Sequence, residues 1–226
     1  VSARGGNSIG GTGVSWSSKI LPVRVLGVGG GSFAGILKGM KYAAGVLPER
    51  RPAKVASVIN MSLGSADSSY VPCDAVAQSV INQIRAAGTV VVIANGNGKD
   101  QGQRWVSYPA NCAGAVSVAA TNPNRAVTFY SQEGPETDVA APGGALDGIS
   151  ANAVWSTNIY RVGDGAATWR YSGFNGTSMA TPHVAGVVAL MKAVRPSMTP
   201  VDFDNFLASG LTTTDIGSIG KDNASG

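Results

Sequence analysis

The chain has 226 residues, enough for one large domain with a full core, and only 13 % of them are charged against 44 % hydrophobic. That balance excludes a disordered polyelectrolyte, and 31 glycines against 11 prolines point to tight turns and close backbone approaches. With 17 basic and 13 acidic residues the net charge is +4. The tightest basic group, Glu49-Arg50-Arg51-Pro52-Ala53-Lys54, reads as a solvated loop, so nucleic acid is not an expected partner. No apolar run approaches the roughly 18 residues of a membrane span, and no basic-then-apolar leader opens this stretch.

In chain order, residues 20–26 predict a first strand, and 55–60, 89–94 and 116–120 three more. Each is nearly continuously apolar, as expected of parallel strands buried on both faces. Between them, residues 32–44 and 73–87 carry helical spacing, the second closed by Gly88. Residues 140–171, richer in Gly, Asn and Trp, read as loops with a hairpin; 177–194 is a small-residue helix and 201–208 a short amphipathic one. The alternation predicts an α/β fold, a single domain over residues 1–226 with a mostly parallel sheet and helices on both faces. Sites in such sheets form at the carboxyl ends of the strands.

Cys73 and Cys112 are the two cysteines. Their even number, in a weakly charged chain rich in Ser, Thr, Asn and Gly, fits one disulfide in an oxidising compartment; two buried free thiols are the alternative. Their spacing makes neither a redox nor a zinc motif, and a single histidine leaves metal ligands scarce, so no residue is assigned to a metal.

Three segments compete to carry the chemistry. Gly29-Gly30-Gly31-Ser32-Phe33-Ala34 satisfies G-x-G-x-x-A after an apolar run and before a helix, the outline of a dinucleotide site. Its candidate ribose partner Glu49 sits in a Pro/Arg loop instead of at the end of a second strand, which argues against that use. Gly176-Thr177-Ser178-Met179-Ala180 looks like a variant nucleophile elbow of the α/β-hydrolases, whose acid and histidine follow the serine. The one histidine, His183, lies five residues on, about 140° around the same helix, so its ring points elsewhere.

The same serine reads differently in its longer context. Asn175-Gly176-Thr177-Ser178-Met179-Ala180-Thr181-Pro182-His183-Val184-Ala185-Gly186 strongly resembles the nucleophile segment of the subtilases, the subtilisin-like serine proteases. Ser178 would open a helix whose positive end favours developing negative charge, and His183 reads as a hydrogen-bonded core residue. Asn60-Met61-Ser62-Leu63-Gly64 resembles the family's S-L-G substrate strand. The run from Val90 to Gly98 resembles the segment ending in the oxyanion asparagine, which falls on Asn97, with Asn95 as the other candidate. In subtilisin, itself of that family, loss of this donor costs about 10²–10³ in turnover. Ser107-Tyr108-Pro109-Ala110 is similar to the floor of the S1 pocket, and Asp138-Val139-Ala140-Ala141-Pro142-Gly143 to a D-V-x-A-P-G turn.

The resemblance implies a three-layer subtilisin-like fold, a secreted extracellular monomer and polypeptide substrates. It implies no catalytic cofactor, a structural calcium whose site the sequence does not place, and a Cys73–Cys112 disulfide, which Cys-containing secreted members form. Substrate is expected as an added strand between Gly29-Gly30-Gly31 and Ser62-Leu63-Gly64. The pocket walls, Ser62 to Gly64 and residues 94–97 with Ser107 beneath, carry no charge, so apolar or aromatic P1 side chains are expected. Asp100 or Arg104 could add a charge at the mouth. Subtilases order their triad Asp, His, Ser. Val1-Ser2-Ala3 and Gly10-Gly11-Thr12-Gly13-Val14 resemble the stretch just after the histidine motif, so the Asp and His segments are absent from these residues. The chain is expected to be the carboxyl-side portion of a serine endopeptidase, incomplete at both ends and inactive alone. An inactive peptide-binding relative of the proteases is the alternative.

Overall fold

A computed structural model describes the chain apart from residues 161–164, 166, 211–212 and 217–220. Four strands, β1 (Val58–Met61), β2 (Val90–Ala94), β3 (Val116–Thr121) and β4 (Thr137–Pro142), form one sheet in that order, every pairing parallel. The hairpin expected downstream pairs β5 (Val154–Tyr160) with β6 (Thr168–Phe174).

Helices cover the parallel sheet on both faces, and the strands divide their side chains between them. Val91 and Ile93 of β2 join α1 (Phe33–Ala43) and α2 (Ala75–Ala86) in one core; Val90 and Val92 join α3 (Thr177–Val194) and α4 (Pro200–Ala208) in the other. All five residues of β2 are therefore buried, which is why the run shows no polar alternation. Local signals fix the helix starts. Ser32 Oγ accepts from Gly35 N, Asp74 Oδ1 accepts from Val76 N and Ala77 N at 2.8 and 2.9 Å, and Thr199 with Asp202 forms a reciprocal capping box ahead of α4. Cys73 and Cys112 are bonded, with Cα atoms 5.1 Å apart.

Two expectations need correction. The strand expected over residues 20–26 does not form; Val23 and Val25 lie against the α1–α2 core, but the backbone joins no ladder. Pro22 offers no N–H to a ladder and Arg24 interrupts the apolar run. β1 is the sheet edge, pairing only β2, and a groove of about 1370 Å³ opens beside it, lined by Ile20, Leu21, Val23 and Val25 together with residues 57–61, Ile36 and Leu190. Residues 138–143, read as a turn, instead contribute residues 138–142 to β4. Thr137, Val139 and Ala141 are buried in alternation, and Pro142 is tolerated at the end of an edge strand.

Candidate active site

The carboxyl ends of β1 and β2 run toward the start of α3. Gly176 adopts φ +148, a conformation that favours glycine, and α3 begins at the next residue. In the first turn Met179 N and Ala180 N donate to Gly176 O, and the Ser178 N–H is left facing outward from the helix start. Thr177 N and Thr177 Oγ1 both donate to Asn97 Oδ1, at 2.8 and 3.1 Å. With that oxygen committed, the Nδ2 hydrogens are the donors Asn97 still offers. Asn97 and Ser178 line the same cleft, of about 290 Å³, and Asn97 is exposed to it. Asn95 is fully buried, its Nδ2 donating to Gln132 O and Thr137 Oγ1.

Ser178 is tied in both directions to Ser62, the residue just after β1. Its Oγ donates to Ser62 O at 3.4 Å, and Ser62 Oγ donates to Ser178 O at 2.8 Å. The second bond has a cause within α3. Pro182 stands four residues after Ser178 and has no N–H, so the helix itself cannot satisfy the Ser178 carbonyl. The Ser62 hydroxyl takes the place of that missing donor.

Leu63, Gly64 and Ser107 line the cleft with Asn97 and Ser178. Gly29, Gly30 and Gly31 do not; Gly30 closes a tight turn with Gly27 just ahead of α1. Asp100 and Arg104 do not line it either. Arg104 and Lys99 approach Glu133 at 3.7 and 2.6 Å, drawing that loop's cations toward an acidic partner. The charged residue that does line the cleft is Asp67, whose Oδ2 accepts from Ser65 Oγ. Gln101, Gln103 and Gln132 also contribute. No sequence motif marks Asp67 or the three glutamines; Thr177 lies inside the nucleophile motif, but its bond to Asn97 exists only in the folded chain.

Behind the cleft, Tyr108 links the Ser107 segment to α2. Its hydroxyl donates to Asp74 Oδ2 at 2.7 Å, and its ring meets Phe33 edge-on at 4.4 Å. Burial first, then the Asp74 bond, pushes the phenol far above its ordinary value. The Ala77 N–H and the Tyr108 hydroxyl hold the Asp74 carboxyl below the usual carboxylate value.

His183 does not line this cleft. Its Nδ1 lies 2.8 Å from Met179 O on the preceding turn of α3, a fully local use. As it is the chain's single histidine, these residues place no imidazole beside Ser178. Among the described residues no three His, Cys, Asp or Glu side chains gather as metal ligands, and no helix is long and apolar enough to cross a membrane.

A parallel α/β sheet flanked by helices thus places a serine at a helix start beside an asparagine amide in one cleft. The chain belongs to the subtilase family, which it matches over residues 1–226. It is 40 % identical over 210 residues to an extracellular protease of Xanthomonas campestris pv. campestris, an alignment covering 92 % of this chain and 34 % of that protein. It is 36 % identical over 213 residues to subtilisin Savinase of Lederbergia lenta, covering 94 % of this chain and 66 % of Savinase. A solved protease structure from Pseudoalteromonas arctica superposes with a TM-score of 0.83 at 40 % identity, covering 95 % of this chain and 62 % of that one. The chain thus spans roughly one to two thirds of the length of such curated relatives.

Proposed function

We propose that these 226 residues carry the nucleophile and oxyanion half of a secreted serine endopeptidase acting on polypeptides. Ser178 Oγ attacks the scissile carbonyl, and its proton passes to a histidine supplied by chain outside these residues. The carbonyl oxygen becomes an oxyanion held by the Asn97 amide and the Ser178 N–H; the C–N bond then breaks, the amine leaves with the proton, and water hydrolyses the acyl ester. The observation that carries this reading is the Asn97–Thr177 clamp, which commits Oδ1 and leaves Nδ2 as a donor in the cleft that Ser178 lines. The α3 N-terminus adds a favourable dipole.

Two observations support a base from elsewhere. His183 is engaged on α3, and the edge of β1 lies open beside the large groove. An added strand there would find backbone partners and apolar walls. Secretion accords with the disulfide and with a relative named as an extracellular protease. Apolar and aromatic P1 side chains are preferred because Leu63, Gly64, Ala94 and Ser107 carry no charge, with Asp67 the cleft residue against which a cationic P1 group tests that preference. A monomer and a structural calcium stand as parts of the same proposal, the calcium without assigned ligands.

The test is to read the coding sequence upstream of Val1, then assay this chain with and without that portion on peptides varied at P1. The expected result is an in-frame histidine segment resembling H-G-T-H, no cleavage by the 226 residues alone, and cleavage by the longer chain after Phe or Leu. A start codon directly before Val1 together with stable peptide binding would favour the non-cleaving relative. A tenfold preference for Lys or Arg at P1 would refute the pocket assignment.

A further inference from the structure

We infer that Gln132 is the positioning residue of the oxyanion donor, a role that rests on the reading of Asn97 given above. Gln132 follows β3 in a loop, is 2 % exposed, and lines the cleft from its inner side. A buried amide of this kind must find partners for all its polar groups or destabilise the fold. Gln132 finds them almost entirely around Asn97. Its backbone N–H donates to Gly96 O at 3.0 Å, and its Oε1 accepts from Gly98 N at 3.2 Å. Asn97 is thus bracketed: the residue before it and the residue after it are both bonded to Gln132.

The remaining contacts anchor that bracket. Oε1 also accepts from Ser107 Oγ at 3.0 Å, Nε2 donates to Trp105 O at 2.8 Å, and Gln132 O accepts from Asn95 Nδ2 at 3.2 Å. One residue therefore fastens the 95–98 turn to the 105–107 segment that floors the pocket. Contact with Gly96 is close; a Cβ there would come 1.9 Å from Oε1 and 2.5 Å from Ser107 Oγ, besides facing φ +111. A side chain at 96 would expel the Gln132 amide. The turn, the amide and the floor form one connected polar unit, whose members are expected to couple energetically. Asn97 receives its other restraint from Thr177, so its amide is fixed from both sides: the Oδ1 end by α3, the backbone by Gln132.

Peptides with a free P1 carboxylate test this without any catalytic base, because a carboxylate oxygen occupies the place of the oxyanion. Their dissociation constants are measured by calorimetry on the 226-residue chain, on Gln132→Met, on Asn97→Ala and on the double variant, with circular dichroism confirming the fold. Gln132→Met keeps the volume and removes the side-chain hydrogen bonds. The expected loss is about tenfold for Gln132→Met and for Asn97→Ala, with less than a twofold further loss when Gln132→Met is added to Asn97→Ala. Equal losses from Gln132→Met in both backgrounds, or none in either, would overturn the inference alone. No loss from Asn97→Ala would overturn the Asn97 reading and the inference with it. If Gln132→Met does not fold, Gln132→Asn, one methylene too short for both Oε1 contacts, is expected to show the same coupled loss, and additivity there refutes the inference.

Discussion

β2 and residues 20–26 are apolar runs of similar length, and they meet opposite fates. Every residue of β2 is buried, with β1 on one side, β3 on the other and helices on both faces. In the earlier run Ile20 is 63 % exposed, Leu21 and Leu26 are also exposed, and no ladder forms. The two runs also differ in composition, for Pro22 lacks a ladder N–H and Arg24 interrupts the apolar side chains, whereas β2 holds neither kind of residue. A strand needs backbone partners as well as an apolar pattern, because an unpaired buried N–H or C=O costs as much as the side chains gain. The open groove is lined by both this run and the β1 segment, which stay unpaired across it.

This contrast can be tested by breaking each side of it. The largest effect belongs to the paired side: in an assembled form that cleaves peptides, Ser178→Ala is expected to cut turnover by about 10⁶, read from a progress curve on a chromogenic peptide. Ile93→Ala in β2 should next cost about 2–5 kcal/mol in urea unfolding, since it removes a side chain with no exposure, while Ile20→Ala should fall within about 0.5 kcal/mol. Equal costs at the two positions would mean that the groove is closed in solution. Replacing Cys73 and Cys112 by serine should cost up to about 4 kcal/mol on the chain-entropy account, seen as a lower thermal midpoint under non-reducing conditions.

The smallest effect is a matter of pH. The carboxyl of Asp74 titrates below its unfolded value of about 3.9, so its contribution is complete above that pH and lost as pH falls through the lower folded value. Asp74→Asn should therefore flatten the acid limb of the stability curve below about pH 4 and leave its slope near pH 7 unchanged. An unaltered acid limb would show that the cap and the Tyr108 bond do not act through ionisation.

Much of this architecture was legible because local rules and long-range packing agree in it. The runs at 89–94 and 116–120 lie within one residue of β2 and β3, and residues 177–194 coincide with α3, for they are bounded by turn residues and filled with apolar side chains. The Ser178 and Asn97 segments were visible as strings, since a serine at a helix start and an asparagine after a strand each need a fixed local sequence. Gln132 and Asp67 were not visible. Their importance comes from what folds against them, 25 to 37 residues away in the case of Gln132, and neither carries a pattern that periodicity could find. β4 was missed because Pro142 and Gly143 advertise a turn more loudly than three buried alternate residues advertise a strand.

Pro182 has a consequence for inheritance. Its missing N–H leaves the Ser178 carbonyl to the Ser62 hydroxyl, so a choice made at one position is read at another 120 residues away. Replacing Pro182 with alanine would return a helical donor to that carbonyl and release Ser62; replacing Ser62 with alanine would strand the carbonyl only while Pro182 stays. The same serine-to-alanine change should thus be costly in one background and mild in the other, so lineages that lose the proline are free to vary at Ser62, and lineages that keep it are not.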